Sequence, residues 1–194
     1  MSAIAPIVPK RPSSFWKASG SVSDYHIELA QRQHLAELPA IELAAATIFP
    51  EGVIPPEARS RTLPPQQLEN ALQQHCLWVA VAASTSQLVG FAMVVPEKDA
   101  ALLAEVDVHP EHQRKGVGRA LVQAAIDWAD AQGIPRLVLT TFGDLPWNAP
   151  FYEPCGFRRI AASQLTDALA QTLREEAHQG LKGRVAMERL LRVG

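Results

Sequence analysis

Apolar positions along this chain change period several times, and each change marks an element. Leu77 to Ser84 and Leu88 to Val95 are apolar runs rich in strand formers, parted by Thr85-Ser86-Gln87, which predicts a hairpin. Tyr25 to Ala30, Ala101 to Val108, Arg136 to Phe142, Phe157 to Ala161 and Gly183 to Leu191 predict further strands. Helical spacing appears between them, over Gln31 to Phe49, over Gln66 to His75 and again after Gln113, with a proline-broken loop from Pro50 to Pro65. In the helix after Gln113, Arg119, Gln123, Asp127 and Asp130 fall on one solvent stripe, which turns Leu121, Val122, Ala125, Ile126 and Trp128 inward. Gly133 and Pro135 supply its end signal. One helix links the strand ending at Val108 to the strand of Arg136 to Phe142, so these two should lie parallel through a right-handed crossover. Thr166 is placed to cap a last helix that carries Leu169 and Leu173 and ends near Gly180.

With 194 residues, 47% of them hydrophobic, the chain can bury one core and is short for two ordinary domains. Residues 1–23 mix proline, serine and basic residues without a period that could bury a face. A flexible amino-terminal arm is expected there, followed by a single domain over 24–194. The formal net charge of −2 gives no general basic character, so nucleic acid is not an expected partner. Cys76 and Cys155 lie far apart without metal-ligand spacing, and Pro6, Pro9 and Pro12 interrupt the amino terminus before an apolar leader core can form. A reduced, cytoplasmic protein is expected. The most apolar helix candidate, Ala40 to Phe49, carries Glu42, and no run approaches the roughly 18 residues of a membrane span.

Chemistry concentrates after Val108. Gly116 and Gly118 remove Cβ atoms where a loop must bring several backbone N–H groups toward one point, and the helix that follows adds its unpaired first-turn amides and positive dipole end. Such a loop suits a phosphate. Arg119 and Ala120 stand where a triphosphate-binding loop needs Lys-Ser/Thr, and Leu121 stands where a dinucleotide fingerprint needs Gly or Ala. A pyrophosphate site remains, preceded by Gln113, Arg114 and Lys115.

Here the sequence resembles the Gcn5-related N-acetyltransferase (GNAT) family, whose acetyl-CoA loop reads Gln/Arg-x-x-Gly-x-Gly/Ala, filled by Gln113, Gly116 and Gly118. Further on, Tyr152 followed by Gly156-Phe157 is similar to the family's later element. The resemblance implies an α/β GNAT fold, with a mixed, mostly antiparallel central sheet, a splayed parallel strand pair and helices on both faces. It also implies acetyl-CoA as co-substrate, transfer of acetyl to a primary amine of a small molecule or peptide, and direct attack in a ternary complex. Implied cofactor contacts are Val106, Val108, Gln113, Arg114, Lys115, Gly116, Val117, Gly118 and Arg119, with the Val108 N–H polarising the thioester carbonyl. The family commonly places an Asn seven residues before the Tyr; that position is Leu145, and the nearby candidate is Asn148. The helix around Leu169 lies where the family usually has a shorter hairpin, which makes it a candidate lid or homodimer surface, or a helix patched on the sheet.

Tyr152 matches the family's general acid, with a packed ring as the bland alternative. Glu105 and Asp107, two apart on a strand, leave the same face, and either could receive the amine proton through water. Asp107 could instead cap the turn before Pro110. His109 and His112 flank the loop, but no third ligand is spaced for a metal, and none is expected. The rival function is a non-catalytic CoA-binding or sensing module of the same fold.

Overall fold

The computed structural model describes residues 24–191; the expected arm, residues 1–23, lies outside the described residues. Its strands are β1 (Tyr25–Leu29), β2 (Leu77–Ala82), β3 (Leu88–Pro96), β4 (Ala101–Val108), β5 (Arg136–Phe142), β6 (Arg158–Arg159) and β7 (Arg184–Leu190). They form one seven-stranded sheet in the order β1-β2-β3-β4-β5-β7-β6. Only β4 and β5 run parallel, and their pairing is confined to Ala101 with Leu137 and Leu102 with Val138. Past that point they part. The cause is visible on the other edge of β4, where Val94 of β3 opposes Leu103 but Met93 opposes Glu105, leaving Ala104 as the extra residue of a bulge. A bulge bends its strand and increases the local twist. The sheet is therefore the mixed, mostly antiparallel one with a splayed parallel pair that the resemblance implies.

The helices are α1 (Leu38–Ala46), α2 (Pro56–Arg59), α3 (Pro65–Gln73), α4 (Val117–Gln132), α5 (Ala149–Tyr152) and α6 (Asp167–His178). Helix α4 packs one face of the sheet through Leu121, Val122, Ala125, Ile126 and Trp128, against Trp78, Ala80, Leu103 and Leu139. Helices α1 and α3 cover the opposite face, with Leu38, Ile41, Leu68 and Ala71 against Leu77, Val79, Phe91 and Met93. Helix α6 continues that layer over Val138 and Ala186 through Leu169. Strands covered on both sides read as unbroken apolar runs, which is why β2 and β3 carry no alternation in the sequence.

The expected long helix from Gln31 is broken. A 3-10 turn over Arg32–Ala36 precedes α1, and Pro39 sits in the first turn of α1, where its missing N–H removes no helical bond. Pro56 likewise opens α2 inside what the sequence suggested was loop. The strand expected over 157–161 shrinks to β6, two residues paired to Glu188 and Met187. Other local signals hold: the Thr166 hydroxyl accepts from the Leu169 N–H at 3.3 Å, and Gly133 ends α4 in a left-handed conformation at φ +70°. Among the described residues, no helix is long and apolar enough to cross a membrane.

Gly90 lets β3 approach the end of β4, since a Cβ there would stand 2.7 Å from the Asp107 carbonyl oxygen. Gly90→Ala is expected to destabilise the protein by about 1–3 kcal/mol, measured by urea unfolding.

Candidate active site

Beyond the bulge, β4 keeps its partner on one edge only. The His109 N–H donates to the Val89 carbonyl at 2.8 Å, so strand alternation turns the N–H groups of Val106 and Val108 to the opposite edge, into the wedge that β5 has left. The chain then makes a 3-10 turn over Pro110–His112 and enters the glycine loop, where Arg114 (φ +57°) and Gly116 (φ +85°) are left-handed. The first bond of α4 runs from the Ala120 N–H to the Gly116 carbonyl at 3.0 Å. The amides of the preceding turn have no helical acceptor and point out of the helix end. Arg114, Lys115 and Arg119 stand exposed around it, whereas the Val117 side chain is buried, so that residue offers the loop only its N–H.

Two loop residues also serve the scaffold. Gln113 turns its side chain back, Nε2 donating to the Val108 carbonyl at 3.1 Å, which ties the loop to the end of β4. At Gly118 a Cβ would lie 3.4 Å from the Phe151 ring, so the glycine lets α5 close against the first turn of α4.

On the face of the sheet away from α4, a cleft of about 410 Å³ runs from the wedge between α1, α6 and the start of α5. Glu105, Val106, Asn148 and Tyr152 all line it, as do Asp107 and Glu42. Burial raises the Glu105 carboxyl to about 7, with the charge of Glu42 adding to the shift and Arg184 opposing it. Asp107 is also raised, by burial and then by Glu105 and Glu42. Its Oδ2 is sealed from solvent without a hydrogen-bond partner among the described residues. Asp107 does not cap the following turn; His109 does, its Nδ1 accepting from the Glu111 N–H at 3.4 Å.

Tyr152 ends α5 with its ring edge-on to Phe151 and Phe157, at centroid distances of 4.9 and 5.7 Å. Gly156, left-handed at φ +86°, turns the chain so that Phe157 enters the core, which gives the Tyr-to-Gly-Phe spacing a physical basis. Burial raises the phenol above its ordinary range, and the Glu105 and Asp107 charges add to the effect. The hydroxyl stays protonated. Asn148, just before α5, donates from Nδ2 to the Thr141 hydroxyl at 2.9 Å, and its Oδ1 is buried with no donor among the described residues. Trp147, beside Asn148, is 40% exposed and meets Phe49 edge-on.

Sequence reasoning missed Glu42, whose carboxylate accepts from the Leu63 N–H at 2.9 and 3.1 Å. A charge inside an otherwise apolar helix was the signal. It also missed Thr141, which fixes the Asn148 amide. The histidine pair does have a third neighbour: His109, Glu111 and His112 each offer a ligand atom within 4.8 Å of the others. The Nδ1 of His112 is already engaged by the Tyr25 hydroxyl at 3.0 Å.

Comparison with known proteins agrees with this geometry. The profile of the Acetyltransferase (GNAT) family matches residues 42–157. N-acetyltransferase family 8 member 3 of Rattus norvegicus is 38% identical over 91 residues, covering 43% of this chain and 39% of that protein. Mycothiol acetyltransferase of Cellulomonas flavigena is 34% identical over 106 residues, 54% of this chain and 30% of that protein. The chain thus spans well under half the length of these curated relatives. The structure of a PaiA N-acetyltransferase from Thermoplasma acidophilum in complex with coenzyme A superposes with a TM-score of 0.66 over 86% of this chain and 98% of that one, at 18% identity. With more than half of its residues inside the family profile, and with the splayed strand pair and glycine loop in place, the chain belongs to the GNAT family.

Proposed function

We propose that this chain transfers an acetyl group from acetyl-CoA to a primary amine by direct attack in a ternary complex, with residues 24–194 acting as one domain. The observation that carries the reading is the wedge between β4 and β5, which joins the amide-rich turn of residues 114–119 to the cleft holding Glu105 and Tyr152.

In this reading the free amides from Arg114 to Arg119, with the charges of Arg114, Lys115 and Arg119, hold the pyrophosphate. Gln113 acts by fixing the loop to β4 rather than by touching the ligand. The N–H groups of Val106 and Val108 pair with the pantetheine arm, and that of Val108 polarises the thioester carbonyl. Asn148 fits the same arm: its orphaned Oδ1 is an acceptor waiting for an amide N–H.

Glu105 receives the amine. Ionised above about pH 7, it attracts the ammonium and takes up its proton through a bridging water. The nitrogen attacks the carbonyl carbon, the C–S bond breaks, and the Tyr152 hydroxyl donates to the departing sulfur. Burial raises the phenol, which keeps the proton on the hydroxyl until the departing sulfur takes it. A covalent acyl-enzyme has no support among the described residues. Cys155 donates to the Phe151 carbonyl and burial pushes its thiol up, while Cys76 is buried and pushed up to about 12.

Tyr152→Phe is expected to lower kcat by about 100-fold or more with little change in the KM for acetyl-CoA; an equal loss in coenzyme affinity by calorimetry would assign the hydroxyl to binding instead. Gly116→Asp puts a side chain and a negative charge at φ +85°, and it should abolish detectable CoA binding while the protein still unfolds cooperatively. Wild-type kcat/KM should rise with pH and level off near 7, and Glu105→Gln should remove that limb. The stability effect has a definite sign. The folded state keeps the Glu105 proton up to about 7 while the unfolded chain releases it near 4.5, so stability falls across that window. Glu105→Gln should therefore raise Tm more at pH 8 than at pH 4. A Tm shift with CoA but no turnover of any amine would point to a binding module without catalysis.

A further inference from the structure

The acceptor end of the cleft has two properties that bear on what can enter it. The first is charge. Glu42, Glu105, Asp107 and Glu176 line the cleft against two cations, Arg61 and Arg184, so acids outnumber bases in its lining. Arg184 forms a closed pair with Glu176, at 2.8 and 3.1 Å, and also donates to Thr140. Arg61 donates to the Gln179 side chain at 3.1 Å. Oδ2 of Asp107 remains buried and unpartnered. The excess of acids attracts an acceptor ammonium, whereas an acceptor carboxylate meets like charge.

The second property is enclosure. The loop carrying α2 and the turn between α6 and β7 both wall the cleft, contributing Ile54 and Ala58 from the first and Gln179 and Leu181 from the second. These walls touch. Gly180, at φ +85°, lies so close to Pro55 that a Cβ would stand 2.7 Å from the proline Cγ, and the Arg61–Gln179 bond makes a second link. The bridge is thus the Gly180 backbone against the rigid Pro55 ring, with one exposed side-chain hydrogen bond beside it.

We propose that the acceptor is a compact primary amine that carries no carboxylate and has an apolar body, and that the bridge between the α2 loop and the α6–β7 turn excludes peptide and protein amino termini. This rests on the acetyl-transfer reading of the cleft. Phe49, Ile54 and Leu181 supply the apolar lining, and the excess of acidic over basic groups in that lining favours the cation.

The test is calorimetry on the full chain saturated with CoA, using pentylamine, phenethylamine, 6-aminohexanoate and trialanine amide. The last has a free amino terminus and no carboxylate, so it separates size from charge. At least one of the two compact amines should bind about tenfold or more tighter than both other probes. Equal binding of 6-aminohexanoate or trialanine amide overturns the proposal, and so does failure of both compact amines to bind. Unlinking the bridge by Pro55→Gly with Arg61→Ala should raise trialanine amide affinity relative to the amines. Gly180→Ala, which pushes Pro55 away, should do the same if the double variant folds poorly. Unchanged ratios in a folded variant count against it. Acetyl-CoA turnover with the same probes is read separately. Compact amines that bind but are never acetylated overturn the transfer reading alone, whereas trialanine amide acetylated as fast as the amines overturns the enclosure alone.

Discussion

Between Leu102 and Val108, strand β4 has a partner on one side only, and this half-paired stretch is what the site is built around. Unpaired backbone groups inside a sheet cost about 1–3 kcal/mol each when buried, so an open wedge would close if either strand were free to move. Neither is. Strand β5 is held along its whole length by β7, from Arg136 with Leu190 to Phe142 with Arg184, and β4 is held by β3 up to Val108. The bulge at Ala104 sets the direction in which β4 departs. In the proposed reading, polar groups that are costly in the free protein become the hydrogen-bonding edge for a strand-like ligand, a use of an open sheet edge that depends on rigidity at both sides.

The same rigidity governs the acids. Acids lining one cleft repel one another, and the arrangement holds because two of them have hydrogen-bonding partners and the other two are buried. Glu42 is fixed by the Leu63 N–H, which also tethers the proline-rich loop to α1. Glu176, a fourth acid of the lining, is paired with Arg184 and accepts from the Thr140 hydroxyl. Glu105 and Asp107 are left without such partners, so burial keeps their protons on longer than usual. Structural acids surround two chemically available ones.

What could be read in the sequence and what could not divide along a physical line. The glycine loop, the Gly133 helix end, the Thr166 cap and the Gly156-Phe157 turn are local: each rests on a backbone conformation or cap encoded within a few residues, and each appears as expected. The parallel pairing of β4 and β5 followed from a single connecting helix. The bulge left no signal, because Ala104 differs from its neighbours only in the register of a strand elsewhere in the chain. Glu42 was noticed as a charge and used to argue against a membrane span; its place beside Glu105 depends on how α1 crosses the sheet. Gln113 fitted the family pattern as a ligand contact, yet its side chain was already committed to the Val108 carbonyl.

Asn148 shows how a departure from the family pattern can be absorbed. The position seven residues before Tyr152 is Leu145, so the usual amide is absent there, and Asn148 sits three residues later at the entry to α5. Its backbone carbonyl accepts from the Phe151 and Tyr152 N–H groups at 2.9 and 3.3 Å, and its side chain is pinned to Thr141 at the end of β5. The residue that orients the helix carrying the phenol thus also lines the cleft, with a buried Oδ1 that has no donor among the described residues. A ligand amide bonded to Oδ1 would then be held by the same short segment that aims Tyr152. Coenzyme position and proton donor would be set by one rigid unit, and Thr141 couples that unit to the diverging strand.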